Sequence, residues 1–536
     1  MTTFAYTLLA SAGAAGGDSG FWVSYIGGVN KPYANHGFQI GSGIGADADG
    51  NLVYSMRGDA LNGYYSALMY YVKKDDYSAI ESVFGANWDN NAAGQKNSTY
   101  GMGGSITTGA GEADSGGRFV TAIAGASYSC RGYQTGKPET QWGNASAQRM
   151  STFRSAVRPN RLKDSCVQKN DNKKLWWLGD QYASPAPAAY NTQIGRWSQS
   201  SPTAQWQTGT SECREFGHNG SGGGKTCRGY SIASDSSGNA YVGGQFNTPF
   251  AANSNKYPWY AQIDVNGMNG NYLKAWETGL TDNQGVYCLT TGTGSNVYAL
   301  YAAKGNTYTG SGNAYTQLMI SKFTAGNEVW SRCIGGGKSG SGYDVDFSSS
   351  LLGLGICVDD DENIYAYFES NGGTKYFNQT DPSSSNSDIK SGVISLTSSG
   401  SFRWCNVLGG DAGQCDTWDE GKGNRIIVDG KEGLNIMTKA STATVNGATN
   451  YGFFAVRVPL DGSGTSSSSV SITGTNKDFF YGVSSEITSV FTGNITTSEI
   501  VNYTYGVVTG MDSTIYTNTA QEFTVPTGHL IKKESI

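Results

Sequence analysis

The stretch DSSGNAYVGG, residues 235–244, sets a short turn of Asp, Ser, Gly and Asn directly before an apolar strand, and six other segments repeat that design. They read DADGNLVY (47–54), DSGGRFVT (114–121), NDNKKLWW (170–177), GTGSNVYA (292–299), DDDENIYA (359–366) and DGKEGLNI (429–436). Self-similarity of this kind marks propellers and related repeat arrays. One column is apolar in all seven segments: Leu52, Phe119, Leu175, Ala240, Val297, Ile364 and Leu434. The column before it is mostly Asn or Gly, residues that tolerate the positive φ such turns often need.

A second column alternates with the first along the chain: Trp22, Ile80, Trp142, Trp206, Trp276, Trp330 and Trp404. Between the columns lie hairpins such as LMISKFTAGNEVW (318–330) and VISLTSSGSFRW (393–404), each a strand, a polar Gly turn and a second strand. Each unit is therefore about four strands: the Trp strand, a strand leading into the turn, the apolar strand after it and an outer strand. That is the pattern of one propeller blade, and seven units predict an all-β, seven-bladed β-propeller.

Composition agrees with a turn-dense folded chain. Glycine supplies 76 of 536 residues, about twice the usual ~7%, while 38% of the chain is hydrophobic in short β-patterned runs. No run of roughly 18 apolar residues occurs, so no membrane span is expected. Residues 4–15 are mildly apolar with no basic residue before them, and read as an N-terminal segment of the mature protein rather than a signal peptide. A net charge of −6 argues against nucleic acid as the main ligand.

Three domains follow: a leader over residues 1–20, the propeller over 21–474, and a small C-terminal β appendage over 475–536 that reads as a separate docking or assembly module. Either the strand around Trp22 or that around Ile472 completes the last sheet. Pairing Trp22 with the final hairpin is favoured, because it removes two exposed edges at once.

Chemistry-bearing patterns are sparse. His36, His218 and His529 stand in unrelated contexts. SGGGKT (221–226) and GGGKS (335–339) lack the first glycine of a phosphate loop, with Asn219 and Arg332 in its place. The acidic turns 47–51 and 359–363 present alternate oxygens of the kind that hold calcium, but the same side chains commonly bond their own backbone. Paired carboxylates for sugar hydrolysis could in principle come from Asp416, Asp419 and Glu420, or from residues 359–362, but such chemistry needs two carboxyl groups set across one substrate, and acidic neighbours in sequence are usually solvated loop residues. Nine cysteines are read as mostly small buried core residues, Cys333 and Cys405 at one shared place, with Cys213 and Cys227 the one candidate bridge. Tyr64, Tyr65, Tyr70, Tyr71, Trp176, Trp177, Tyr257, Trp259 and Tyr260 cluster in or beside loops, as rings that contact proteins or sugars do. No catalytic, metal-ligating or binding residue is assigned, and no cofactor is expected.

The D-x-x-G-N-x-Y turn and strand, matched at 235–241 and nearly so at 47–53 and 359–365, resembles the bacterial-type β-propeller repeat family over residues 21–474. Lys173 and Glu432 depart from it, replacing the turn glycine. The MTTFAYTLLASAGAAGG start, the Gly/Ser/Tyr-rich loops and the Thr-heavy tail resemble structural proteins of tailed phages, notably those of marine hosts. That resemblance implies a non-enzymatic tail, fibre or decoration protein of the virion, assembled in the host cytoplasm. Its partners would be other virion proteins, in multiple symmetric copies, with a host-surface glycan or protein as a further contact. The alternatives are a secreted carbohydrate-binding propeller or a polysaccharide-cleaving enzyme.

Overall fold

The computed structural model describes residues 22–30, 41–46, 52–59, 65–72, 82–87, 107–108, 119–124, 130–135, 149–155, 161–171, 174–183, 189–198, 212–218, 226–247, 256–278, 285–304, 316–334, 355–370, 390–410, 426–428, 433–439, 443–445, 448–465, 470–471, 478–484, 487, 489–493, 495–500, 503–507, 511–512, 521–523 and 530–535. These residues form antiparallel sheets and no helix, so none that could cross a membrane.

Seven sheets follow one another along the chain. Sheet I holds Gly41–Ala46, Leu52–Asp59, Tyr65–Val72 and Ser82–Asn87; sheet II holds Thr107–Thr108, Phe119–Ala124, Cys130–Thr135 and Arg149–Ser155. Sheet III holds Arg161–Val167, Lys174–Ala183, Ala189–Ser198 and Cys213–His218; sheet IV holds Cys227–Ser234, Ala240–Asn247, Lys256–Ile263 and Gly270–Trp276. Sheet V holds Val286–Thr291, Asn296–Lys304, Thr316–Thr324 and Asn327–Ile334; sheet VI holds Gly355–Val358, Ile364–Ser370, Lys390–Leu396 and Phe402–Gly410. Sheet VII takes three strands from the end of the repeats, Ile426–Val428, Gly433–Lys439 and Ala448–Pro459, and its fourth, Trp22–Asn30, from the start of the chain. Trp22 faces Arg457 there, the pairing expected, while Val470–Ser471 pairs elsewhere, with Asp478–Val483.

The apolar column keeps one register throughout. Leu52, Phe119, Leu175, Ala240, Val297, Ile364 and Leu434 are each the first or second residue of the second strand, opposite the residue that ends the first: Ala46, Thr108, Val167, Ser234, Thr291, Val358 and Val428. Burial explains the constancy. Leu52, Ala240, Val297, Ile364 and Leu434 are wholly enclosed, and the cores lie between neighbouring sheets: III with IV, IV with V, V with VI, and VI with VII.

The second column requires correction. The Trp strand closes its sheet rather than opening it, and the place held by Trp330, Trp404 and Trp22 is taken by Tyr272 in sheet IV, Glu212 in III, Arg149 in II and Ser82 in I. Trp276 stands four residues beyond it, at the far end of the same strand, so it is a different position that the Trp count alone takes for the same one. Ile80, Trp142 and Trp206 lie outside the described residues. In sheets V and VI the indole N–H at this place reaches the next sheet: Trp330 donates to the Ser398 carbonyl at 3.2 Å and Trp404 to that of Leu460 at 3.1 Å. Gly462, at φ +77°, lies so close that a Cβ would come within 2.6 Å of the Trp404 ring.

The largest departure from expectation is in residues 475–536. The strands of this stretch do not gather into a sheet of their own; each pairs with the outer edge of a repeat sheet, and they visit the sheets backwards. Asp478–Val483 joins VI, Val490–Gly493 joins V, Thr497–Glu499 joins IV, Tyr503–Val507 joins III, Met511–Asp512 joins II, Gln521–Phe523 joins I, and Leu530–Ser535 joins the Trp22 strand of VII. Edge pairing supplies the physical reason: without this tail every fourth strand would show an unpaired row of N–H and C=O groups.

Candidate functional site

Two features concentrate side-chain function: the carboxylate turns between first and second strands, and the tail around the outer edges. In the turn of sheet IV, Asp235 Oδ1 accepts the backbone N–H groups of Ser237 and Asn239 at 3.0 and 2.9 Å. Its Oδ2 accepts from Asn239 Nδ2 and the Tyr241 hydroxyl, both at 3.1 Å. Asp359 repeats the arrangement in sheet VI, with Asp361, Asn363 and Tyr365 as donors. The Asp, Asn and Tyr of the repeat are thus one hydrogen-bonded unit that fastens the turn to the strand.

Sheet V has no Asp in its turn; Gly292 stands there. Glu362, from the turn of sheet VI, reaches across and fills the place: it accepts from the Thr293 backbone N–H and hydroxyl, from Asn296 Nδ2 at 3.1 Å and from the Tyr298 hydroxyl at 2.6 Å. Gly292 is what admits it, since a Cβ there would lie 2.7 Å from the Glu362 carboxyl carbon. Glu362 itself adopts φ +58°, replacing the glycine that sheet IV uses at that point. Burial pushes the Glu362 carboxyl up, yet the hydrogen bonds from Thr293, Tyr298 and Asn296 outweigh it and hold the group down at about 2. Lys322 adds an ion pair at 3.4 Å.

These contacts decide the calcium reading for the turn at 359–363. Asp359 spends its oxygens on its own turn and Glu362 points to the neighbouring sheet, so the acidic side chains do not converge. Among the described residues no group of three His, Cys, Asp or Glu side chains is placed to hold a metal. The turn at 47–51, the two Gly/Lys loops apart from Thr226, and Asp416, Asp419 and Glu420 lie outside the described residues.

Other sequence candidates are placed as follows. His218 ends the fourth strand of sheet III opposite Tyr503, and His36 and His529 lie outside the described residues. Cys213 and Cys227 stand on different sheets and form no disulfide, so the candidate bridge is not made. Cys333 and Cys405 do not share a place: Cys405 pairs with Ile394, one residue past Trp404, whereas Cys333 sits three past Trp330. Burial pushes the thiols of Cys166, Cys357 and Cys405 up, and that of Cys333 to about 12, which leaves them protonated and unreactive. Trp176, Trp177, Tyr257, Trp259 and Tyr260 are strand residues buried in the cores, not loop rings; Tyr64 lies outside the described residues.

The tail combines three elements. Its strands bond the edges with specific side-chain contacts: Phe216 of sheet III packs on Tyr505 at 4.4 Å between centroids, Lys274 of sheet IV pairs with Glu499 at 2.6 Å, and Asn406 of sheet VI donates to the Tyr481 hydroxyl at 2.6 Å. Between strands, at the three crossings that link sheets VI, V, IV and III, an isoleucine is driven into the core between them. Ile487 enters the core of V and VI, Ile495 that of IV and V, and Ile500 that of III and IV. Outward, the tail shows apolar side chains. Val483 is 60% exposed, Val507 52% and Phe491 39%; with Val329 on the adjoining strand of sheet V, they are the exposed large hydrophobics among the described residues.

Sequence reasoning gave the tail a docking or assembly role but singled out no residue in it. The signal was present as an isoleucine in polar surroundings at EIT, NIT and EIV, residues 486–488, 494–496 and 499–501, but its spacing follows the distance between sheets rather than a helical or strand period. No protein-family model and no curated protein matches the chain.

Proposed function

We propose that the seven sheets are the blades of one β-propeller and that the protein is a non-enzymatic platform in a multi-copy assembly. By the resemblance given above, that assembly is a tailed-phage particle, with the protein serving as a tail, fibre or decoration component. The propeller reading is supported by the first strands, which touch from sheet I to sheet VII, and by the contact of sheet I's first strand with sheet VII.

The assembly reading rests on one observation: three strands of the outer tail carry exposed Val483, Phe491 and Val507. Soluble monomers protect sheet edges with charge, proline or a covering element. Apolar side chains on an outermost strand suit a surface that a neighbour covers. The triple variant V483D/F491D/V507D tests it. The wild type should associate or enter particles in reconstitution, and the variant should do neither at unchanged circular dichroism. Equal association of the two, or a wild type that stays monomeric and outside the particle, removes the reading.

A further inference from the structure

We propose that the tail is transferable: the outer edges of the sheets accept the tail of a second copy in place of their own, joining copies by strand exchange. The proposal rests on the assembly reading and names its partner as the same segment of another molecule.

The fit that exchange requires is already displayed within one chain. Each edge takes a short strand, from Met511–Asp512 at the shortest to Asp478–Val483 and Leu530–Ser535 at the longest. Recognition is by backbone pairing reinforced at separate points: the Phe216–Tyr505 rings, the Lys274–Glu499 ion pair and the Ile487, Ile495 and Ile500 side chains between sheets. Such addition of a strand to an open edge is a general mode of protein recognition. The tail, residues 475–536, contains no cysteine, so no disulfide ties it to the sheets. The sequence leading into it, GSGTSSSS at residues 462–469, carries no apolar residue. An identical segment offered by a second copy meets identical edges, which is the basis of domain swapping.

Tethering sets when exchange occurs. A segment on a short linker has an effective concentration in the millimolar range, so each tail binds its own sheets in dilute solution. Packing copies side by side brings competing tails to comparable concentrations.

The full chain provides the test through Arg214 and Val507, which face each other in register. One preparation carries Arg214→Cys and the other Val507→Cys; they are mixed at rising concentration and oxidised. Exchange predicts a covalent heterodimer whose yield climbs from near zero at micromolar to a major product near millimolar. It is absent from either preparation alone and from the double variant R214C/V507C, which locks its own tail. Arg154→Cys with Asp512→Cys, the register pair on sheet II, repeats the test where loss of the Arg214 contacts disturbs folding. Absence of the heterodimer with both pairs overturns exchange. If such copies still associate by light scattering, the assembly reading stands and exchange alone is lost.

Discussion

Glu362 shows how one side chain can serve a neighbouring repeat. Its carboxylate supplies sheet V with what Asp235 and Asp359 supply locally, so Gly292 and Glu362 form a coupled pair. Glu362→Gln should cost about 1–3 kcal/mol in thermal or denaturant unfolding, because donors aimed at a charge lose it. G292D should also destabilise through the clash, while G292D with E362G should restore the local motif and recover at least about 1 kcal/mol relative to the sum of the singles; strict additivity would show that the pair is not coupled. The carboxyl titrates near 2 when folded against an ordinary 4.5, so its contribution is fully present above about 4.5 and fades as pH falls toward 2. The stability gap between wild type and Glu362→Gln should therefore shrink between pH 5 and pH 2; a constant gap would assign the effect to packing.

At the scale of elements, the tail acts as strand and rivet together. Ile500→Ala should cost about 2–4 kcal/mol, the range for a truncated core side chain, and hydrogen exchange should quicken in sheets III and IV while sheet VI is unchanged. Uniform change across all sheets would mean that the tail does not act locally. The repeat strands were legible in the sequence because each carries its own pattern, an Asx turn and then an enclosed apolar residue such as Ile364. The tail was not, since its strands borrow their pairing from edges about 70 to 510 residues earlier in the chain. Thr497–Glu499, for instance, has two exposed side chains and one half-buried, and nothing local assigns its partner. Glu362 was hidden for a related reason: it looks like a turn acid of its own repeat, and only register shows it serving the preceding sheet. Even Trp276 misled, being a core residue in the wrong register.

For the whole molecule, seven sheets in sequential contact predict seven lobes around one axis in projection images of the isolated protein; an open arc, or another lobe number, would reject the propeller. The backward course of the tail also bears on how the molecule is made. Every repeat is synthesised before any of the tail, so each sheet must wait for its fifth strand. Sheet VI, the last of the complete repeats, is sealed first, whereas the edge of sheet I at Ser82–Asn87 precedes its cover at Gln521–Phe523 by about 430 residues. At ordinary elongation rates that interval is ~20–90 s. Throughout it the nascent chain carries open edges on the ribosome, with the earliest sheet exposed longest, so a product released early would leave the most edges bare and invite chaperones or aggregation.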